Sequence, residues 1–189
     1  LNPNQIKERI ISNLAKYVQL SDTEKFGGKF RYSKAISTID ATEKSIRSNL
    51  TDVIMRKDFY PALNSSAYYE FCLSNPFDDD IDTQTLVSTG FVVQQYPNYI
   101  VYLEDRGSKV VLYRLDSQTG DKIVLNSEQG EIDYVKGDVR LYNLNIIKGS
   151  FSDNKIEIRL KPQYNDIIAK RQIYLDVDIE KSSFTLIQE

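Results

Sequence analysis

Histidine and tryptophan are absent from this chain, and cysteine and methionine occur once each. Without histidine there is no serine–histidine–acid triad, no His-ligated zinc and no imidazole acid–base pair. The lone Cys72 forms neither an intramolecular disulfide nor a CxxC motif, so the fold owes nothing to oxidation. It sits between Phe71 and Leu73 with no base nearby, which reads as a structural thiol. No run approaches the roughly 18 apolar residues of a membrane span, and no basic-then-apolar leader opens the chain. The first residue is Leu1 rather than Met, which reads as a piece of a longer protein. The expectation is a chain without catalytic residues, metal ligands or a tightly bound cofactor.

What is present is an ordinary globular mixture: 41% hydrophobic and 27% charged positions over 189 residues, enough for one or two domains. Charge is segregated. Residues 1–60 hold 11 basic against 7 acidic side chains, a balance of +4, whereas residues 61–189 carry −7. No basic residue lies between Lys57 and Arg106, a stretch containing Glu70, Asp78, Asp79, Asp80, Asp82, Glu104 and Asp105. Such a stretch repels phosphate, so no nucleic-acid partner is expected. It reads as a solvated face or as a patch that docks on a basic partner. The 13 tyrosines and 8 phenylalanines alternate with aliphatics and acids rather than with bases, which fits core and interface packing better than base stacking.

Periodicity divides the chain near Pro61. Before it, Ile6, Ile10, Leu14, Tyr17 and Val18 recur at helical spacing behind an Asn2 cap and Pro3, predicting a helix over 2–20. Gly27-Gly28 breaks the pattern, a second helix starts at Ser33, and 51–57 alternates as a strand. After Pro61 short alternating runs predict strands at 67–73, 85–95, 98–104, 109–115, 122–125, 131–135, 138–147, 154–161, 172–180 and 183–188. The fold class is therefore α+β: a small N-terminal helix–helix–strand domain over 1–60, then a β-rich, antiparallel, sandwich-like domain over 64–189.

Two patterns approach known chemistry and fall short. Asp78, Asp80 and Asp82 have the spacing of a calcium loop, but Thr83 and Thr89 replace its defining glycine and glutamate. Gly27-Gly28 lacks the remainder of a phosphate-binding loop and reads as a turn. Carboxylate pairs for glycoside cleavage are numerous among 27 acids, and none is singled out.

Two stretches carry a family resemblance. The first is Lys25-Phe26-Gly27-Gly28-Lys29-Phe30-Arg31-Tyr32-Ser33, followed by Ile36, Ile39-Asp40 and Ile46-Arg47-Ser48-Asn49. The second is Gly130-Glu131-Ile132-Asp133-Tyr134-Val135-Lys136-Gly137-Asp138-Val139, with Pro162, Asp166-Ile167 and Arg171-Gln172-Ile173 downstream. Across residues 20–180 the chain resembles the C-terminal part of the large baseplate wedge protein of T-even-type contractile-tailed bacteriophages, related to the baseplate J-like proteins. Gln172 departs from the Asn expected there. The resemblance implies a non-enzymatic structural subunit in the virion tail baseplate, assembled in the bacterial host cytoplasm. It also implies that the subunit pairs with itself and docks other wedge subunits into a ring around the hub. The alternatives are a carbohydrate- or receptor-binding β module of a tail fibre or adhesin, and a glycoside-cleaving enzyme.

Residues 99–103 and 110–113 are apolar on both faces, which requires either a second sheet or another copy of the chain over the outer one. A homodimer is the expectation, with Tyr99, Tyr102 and Tyr113 as its interface aromatics.

Overall fold

A computed structural model describes residues 2–21, 23, 25, 27–80, 82–170 and 175–187. Two helices precede a β-rich antiparallel body, so the class is α+β. By internal contacts the chain forms two compact units, Leu1–Asp52 with Asn165–Glu189, and Val53–Tyr164.

In the first unit, helix α1 spans Pro3–Leu20. The Asn2 side chain accepts from the Gln5 amide at 2.9 Å, and the Gln5 side chain accepts from the Asn2 amide at 3.2 Å. This reciprocal pair satisfies two N–H groups that have no acceptor inside the helix. Strand β1 (Lys29–Phe30) leads into helix α2 (Tyr32–Asp40). No side chain of its own N-cap residue, Arg31, closes that helix, and Ser33 lies inside it rather than capping it. Instead the Asp166 carboxylate accepts from the Tyr32 amide at 2.7 Å. Residues just after Asp166 form strand β11 (Ile167–Ile168), which pairs antiparallel with β1. The buried apolar side chains come from both ends of the chain: Ile10, Val18, Ala35 and Ile39 on the helices, Ile167 and Ala169 on the returning segment.

The second unit is one curled antiparallel sheet. Its strands are β2 (Met55–Phe59), β3 (Ser66–Cys72), β4 (Leu86–Ser88), β5 (Val92–Val93), β6 (Val101–Arg106), β7 (Lys109–Leu115), β8 (Lys122–Asp133), β9 (Asp138–Lys148) and β10 (Ile156–Leu160). The spatial order is β2-β10-β4-β6-β7-β8-β9-β3, with β5 also on β9. The sheet is nearly closed: at its two ends the Phe59 ring lies 5.3 Å from Tyr69 and 5.0 Å from Phe71. Curling lets one sheet act as both layers, and the interior is filled by alternating residues such as Leu86, Leu103, Leu112, Leu141, Ile146, Ile158 and Leu160.

Several strand boundaries differ from the sequence reading, each for a local reason. The strand expected at 51–57 runs from Met55 to Phe59. The run 85–95 is split because its first part pairs with β10 and β6 and its second with β9. Gly90 lies at the break, where a Cβ would collide with Ile100 and Tyr102. Conversely, 122–125 and 131–135 belong to one strand. The polar residues between them form a bulge against β7, with the Asn126 side chain accepting from the Glu128 amide at 3.0 Å. In the expected strands 172–180 and 183–188, residues 172–174 and 188 lie outside the described residues. Residues 175–180 and 183–187 are not in strands, because no ladder partner lies beside them among the described residues.

Gly137 shows why the second motif stretch has its composition. Its φ is +73°, and a Cβ would run into the backbone carbonyl of Asn75. The turn between β8 and β9 therefore admits little other than glycine.

Candidate functional site: the outer face of the sheet

Residues paired across a ladder point to the same face. Register therefore places Arg56, Arg159, Val87, Glu104 and Val111 in one row across five strands on the outer side. A second row holds Asp58 and Glu157 at one end, and Tyr102, Tyr113 and Val124 at the other.

Two carboxylates in these rows are buried although they face outward: Glu104 is 1% exposed and Glu157 is fully covered. Arg106 approaches Glu104 at 2.8 Å, while Lys122 and Gln84 bond its other oxygen. Lys122 is on β8 and Glu104 on β6, two strand spacings or about 9–10 Å apart, so the two side chains extend toward each other and meet over β7. There the lysine ammonium lies 5.0 Å from the centroid of the Tyr113 ring. Burial alone would raise the Glu104 carboxyl, but its bonds to Lys122, Arg106 and Gln84 outweigh burial and hold it below the usual range. Glu157 is clamped by Lys155 and Arg159, each at 3.2 Å, and Lys155 also reaches Asp58 at 3.4 Å. The long basic side chains cover the face with their stems and keep their charges at the surface.

This arrangement accounts for the two-sided apolar character of β7. One face belongs to the interior, and the other is covered by the Lys122 stem and the Tyr102–Tyr113 stack, whose centroids are 5.6 Å apart. Tyr113 is accordingly 8% exposed, and burial, then Glu104, raises its pKa. Tyr102 is half-buried. Tyr99 does not join them. It stacks under the Arg114 guanidinium at 4.6 Å, and Arg114 pairs with Val101 on the alternate phase of the ladder. The structure thus unites Tyr102 with Tyr113 and sets Tyr99 apart.

Three further apolar side chains border the tyrosine stack: Ile100, 57% exposed, with Leu115 and Val124. Ile100 is two residues before Tyr102 and Leu115 two after Tyr113, so the period of two would have found them once the outer face was known.

Elsewhere, Asp105 accepts from the amides of Thr85 (3.0 Å) and Leu86 (2.7 Å) and from the Tyr134 hydroxyl (2.7 Å). Burial, then Asp105, drives the Tyr134 pKa far above its ordinary value. Asp78 pairs with Lys161, and the Asp80 side chain accepts from the Asp82 amide at 3.1 Å. Among the described residues no group of three or more acids or thiols is arranged to hold a metal ion, and no helix is long and apolar enough to cross a membrane. A shallow hollow of about 420 Å³, lined by Asn13, Lys16, Tyr17, Leu20, Ser21 and Thr38, contains no carboxylate.

Residues 1–58 match the family model of the baseplate structural protein gp6, C-terminal domain III. The match covers α1, β1, α2 and most of β2, and it includes the first of the two motif stretches but not the second. It supports a relationship to phage baseplate proteins, a structural role and a place in the virion tail baseplate among other baseplate components. No curated protein matches the chain.

Proposed function

We propose that the chain is a non-enzymatic structural piece of a baseplate wedge subunit in a contractile phage tail. It pairs with a second copy and docks neighbouring wedge subunits into the ring around the hub. The observation that carries the pairing is the apolar margin of Ile100, Leu115 and Val124 beside the Tyr102–Tyr113 stack. Exposed aliphatics around a tyrosine pair, rimmed by Lys122 and Arg106, have the composition of an interface centre with a polar rim. Tyr102 and Tyr113 lie within this surface, and Tyr99 stands at its edge.

Light scattering after size exclusion at micromolar concentration tests the pairing. The expected mass is twice the 21.8 kDa of one chain, and Ile100→Asp is expected to return it to one. A monodisperse monomer from the unaltered chain refutes pairing for this chain.

A second reading has one specific observation in its favour. Tyr68 and Tyr142 stack at 5.8 Å on the outer side of β3 and β9, with Glu70, Arg140 and Glu131 beside them. Exposed aromatics next to acids suit a carbohydrate- or receptor-binding module. Binding to a panel of bacterial surface glycans that is lost in Tyr68→Ala would move the assignment to that class.

A further inference from the structure

The segment 175–187 has the sequence of a strand pair without the partner of one. Leu175, Val177 and Ile179 alternate with Asp176, Asp178 and Glu180. A turn follows at Glu180 and Lys181, in which the Ser182 amide donates to the Ile179 carbonyl at 3.2 Å. Phe184 and Leu186 then alternate with Ser183, Thr185 and Ile187. The apolar set Leu175, Val177, Ile179, Phe184 and Leu186 is half-buried. Backbone pairing is what is missing. The amides of Leu175, Asp176 and Val177, and those of residues 183–187, have no acceptor among the described residues. Backbone amides beside half-buried side chains are costly to leave without a partner, and a neighbouring strand removes that cost.

The second unit holds a matching vacancy in its sheet. β2 and β3 end the strand order, and each is laddered on one side only, β2 to β10 and β3 to β9. The aromatic contacts of Phe59 fill the interior side of the gap, but no backbone bond joins the two strands among the described residues. Charge chooses between them. β2 carries Arg56 and Lys57 against one acid, Asp58, which pairs with Arg56 at 2.9 Å, so the strand keeps a net positive charge. Arg159 lies opposite Arg56 on the next strand. β3 carries Glu70 and no base. An acidic strand pairs more favourably beside the first, since opposite charges on neighbouring strands attract and like charges repel.

We infer that residues 175–180 of one copy add as an edge strand to β2 of a second copy, with Asp176 and Glu180 on the outer side beside Arg56, and with Lys57 adding positive charge to the same edge. Donor and acceptor are both on this chain, so two copies exchange tails reciprocally and close as a symmetric pair. Main-chain bonds supply the affinity and the acidic–basic match sets the partner edge. This goes beyond the tyrosine-bordered surface proposed above and involves different residues.

The test uses the full chain with Cys72→Ser. One preparation carries Asp176→Cys and another Lys57→Cys, both at exposed positions, and circular dichroism checks that each is folded. The two are mixed and treated with a short bismaleimide. The expected product is a covalent pair formed from one chain of each kind. Cross-links that join only chains of the same kind, or no cross-link at all, overturn the inference. As a second arm, Asp176→Lys with Glu180→Lys is expected to weaken association at least tenfold. Adding Arg56→Glu and Lys57→Glu is expected to restore it, and no restoration counts against the β2 edge. The Ile100→Asp variant separates the two readings. Pairing lost in that variant with no tail cross-link in the parent chain refutes the tail inference and leaves the tyrosine surface standing. A tail cross-link that survives in Ile100→Asp does the reverse.

Discussion

Glu104 is kept ionised beneath its neighbours by Arg106, Lys122 and Gln84, and this fixes how stability depends on acid. Its carboxyl titrates below the ordinary value of 4.5 in the folded chain. The stabilisation is therefore complete above that value and is lost as pH falls through the lowered one. Urea midpoints measured between about pH 6 and pH 3 are expected to fall in the unaltered chain and to fall less steeply in Glu104→Gln. Equal slopes would show that this carboxylate is not the group responsible. Lys122→Ala removes one of the two charged partners and the stem over Tyr113. Because Arg106 remains, the expected loss is about 1–3 kcal/mol, the cost of leaving a buried polar group short of a partner, read from the same urea curves at neutral pH. Gly137→Ala attacks the backbone instead. With φ at +73° and the Asn75 carbonyl in the way, it should cost well over about 1 kcal/mol.

Among the elements, helix α2 depends on a residue distant in sequence. Its start is closed by Asp166, whose position 134 residues away in sequence gives no local signal. Asp166→Ala is expected to lower the stability of the first unit by about 1 kcal/mol, as for other lost caps. Asp166→Asn, which keeps the accepting oxygen, should lose less, and thermal melting of the pair decides it. The same contrast separates what the sequence made legible from what it did not. Helix α1 was readable because its cap, proline and apolar stripe are all contiguous. The hairpin strands β6 and β7 were readable because Gly107, with φ at +59°, marks the turn between them. The bulge in β8 was not, since Asn126, Ser127 and Glu128 have turn-like composition and only pairing with β7 carries the strand through. At the candidate site, Tyr102 and Tyr113 were legible as members of two-faced apolar runs. Their cover was not, because Lys122 reaches Glu104 across an intervening strand, and no short-range pattern records such a reach.

At the scale of the whole molecule, the first unit is built from both ends of the chain, with Val53–Tyr164 as an excursion between them. That organisation predicts how the chain behaves when cut. Lys44 and Arg47 are exposed, lie outside any helix or strand, and follow α2 directly, so trypsin is expected to cut there early. A cut at Arg47 would separate α1, β1 and α2 from the rest of the covalent chain. It would not remove what holds them to the C-terminal segment. Lys29 and Phe30 would still pair with Ile168 and Ile167, the Ala169 amide would still donate to the Gly28 carbonyl at 2.8 Å, and Asp166 would still cap α2. Buried Ile167 and Ala169 would still share a unit with buried Ile10 and Ile39. The two fragments should therefore elute together in native gel filtration and part only in denaturant. Asp166→Ala, which weakens one of those ties, should release the N-terminal fragment at a lower urea concentration. Immediate separation of the fragments after cutting would mean that the N-terminal helices do not need the returning segment, and would overturn a first unit built from both ends.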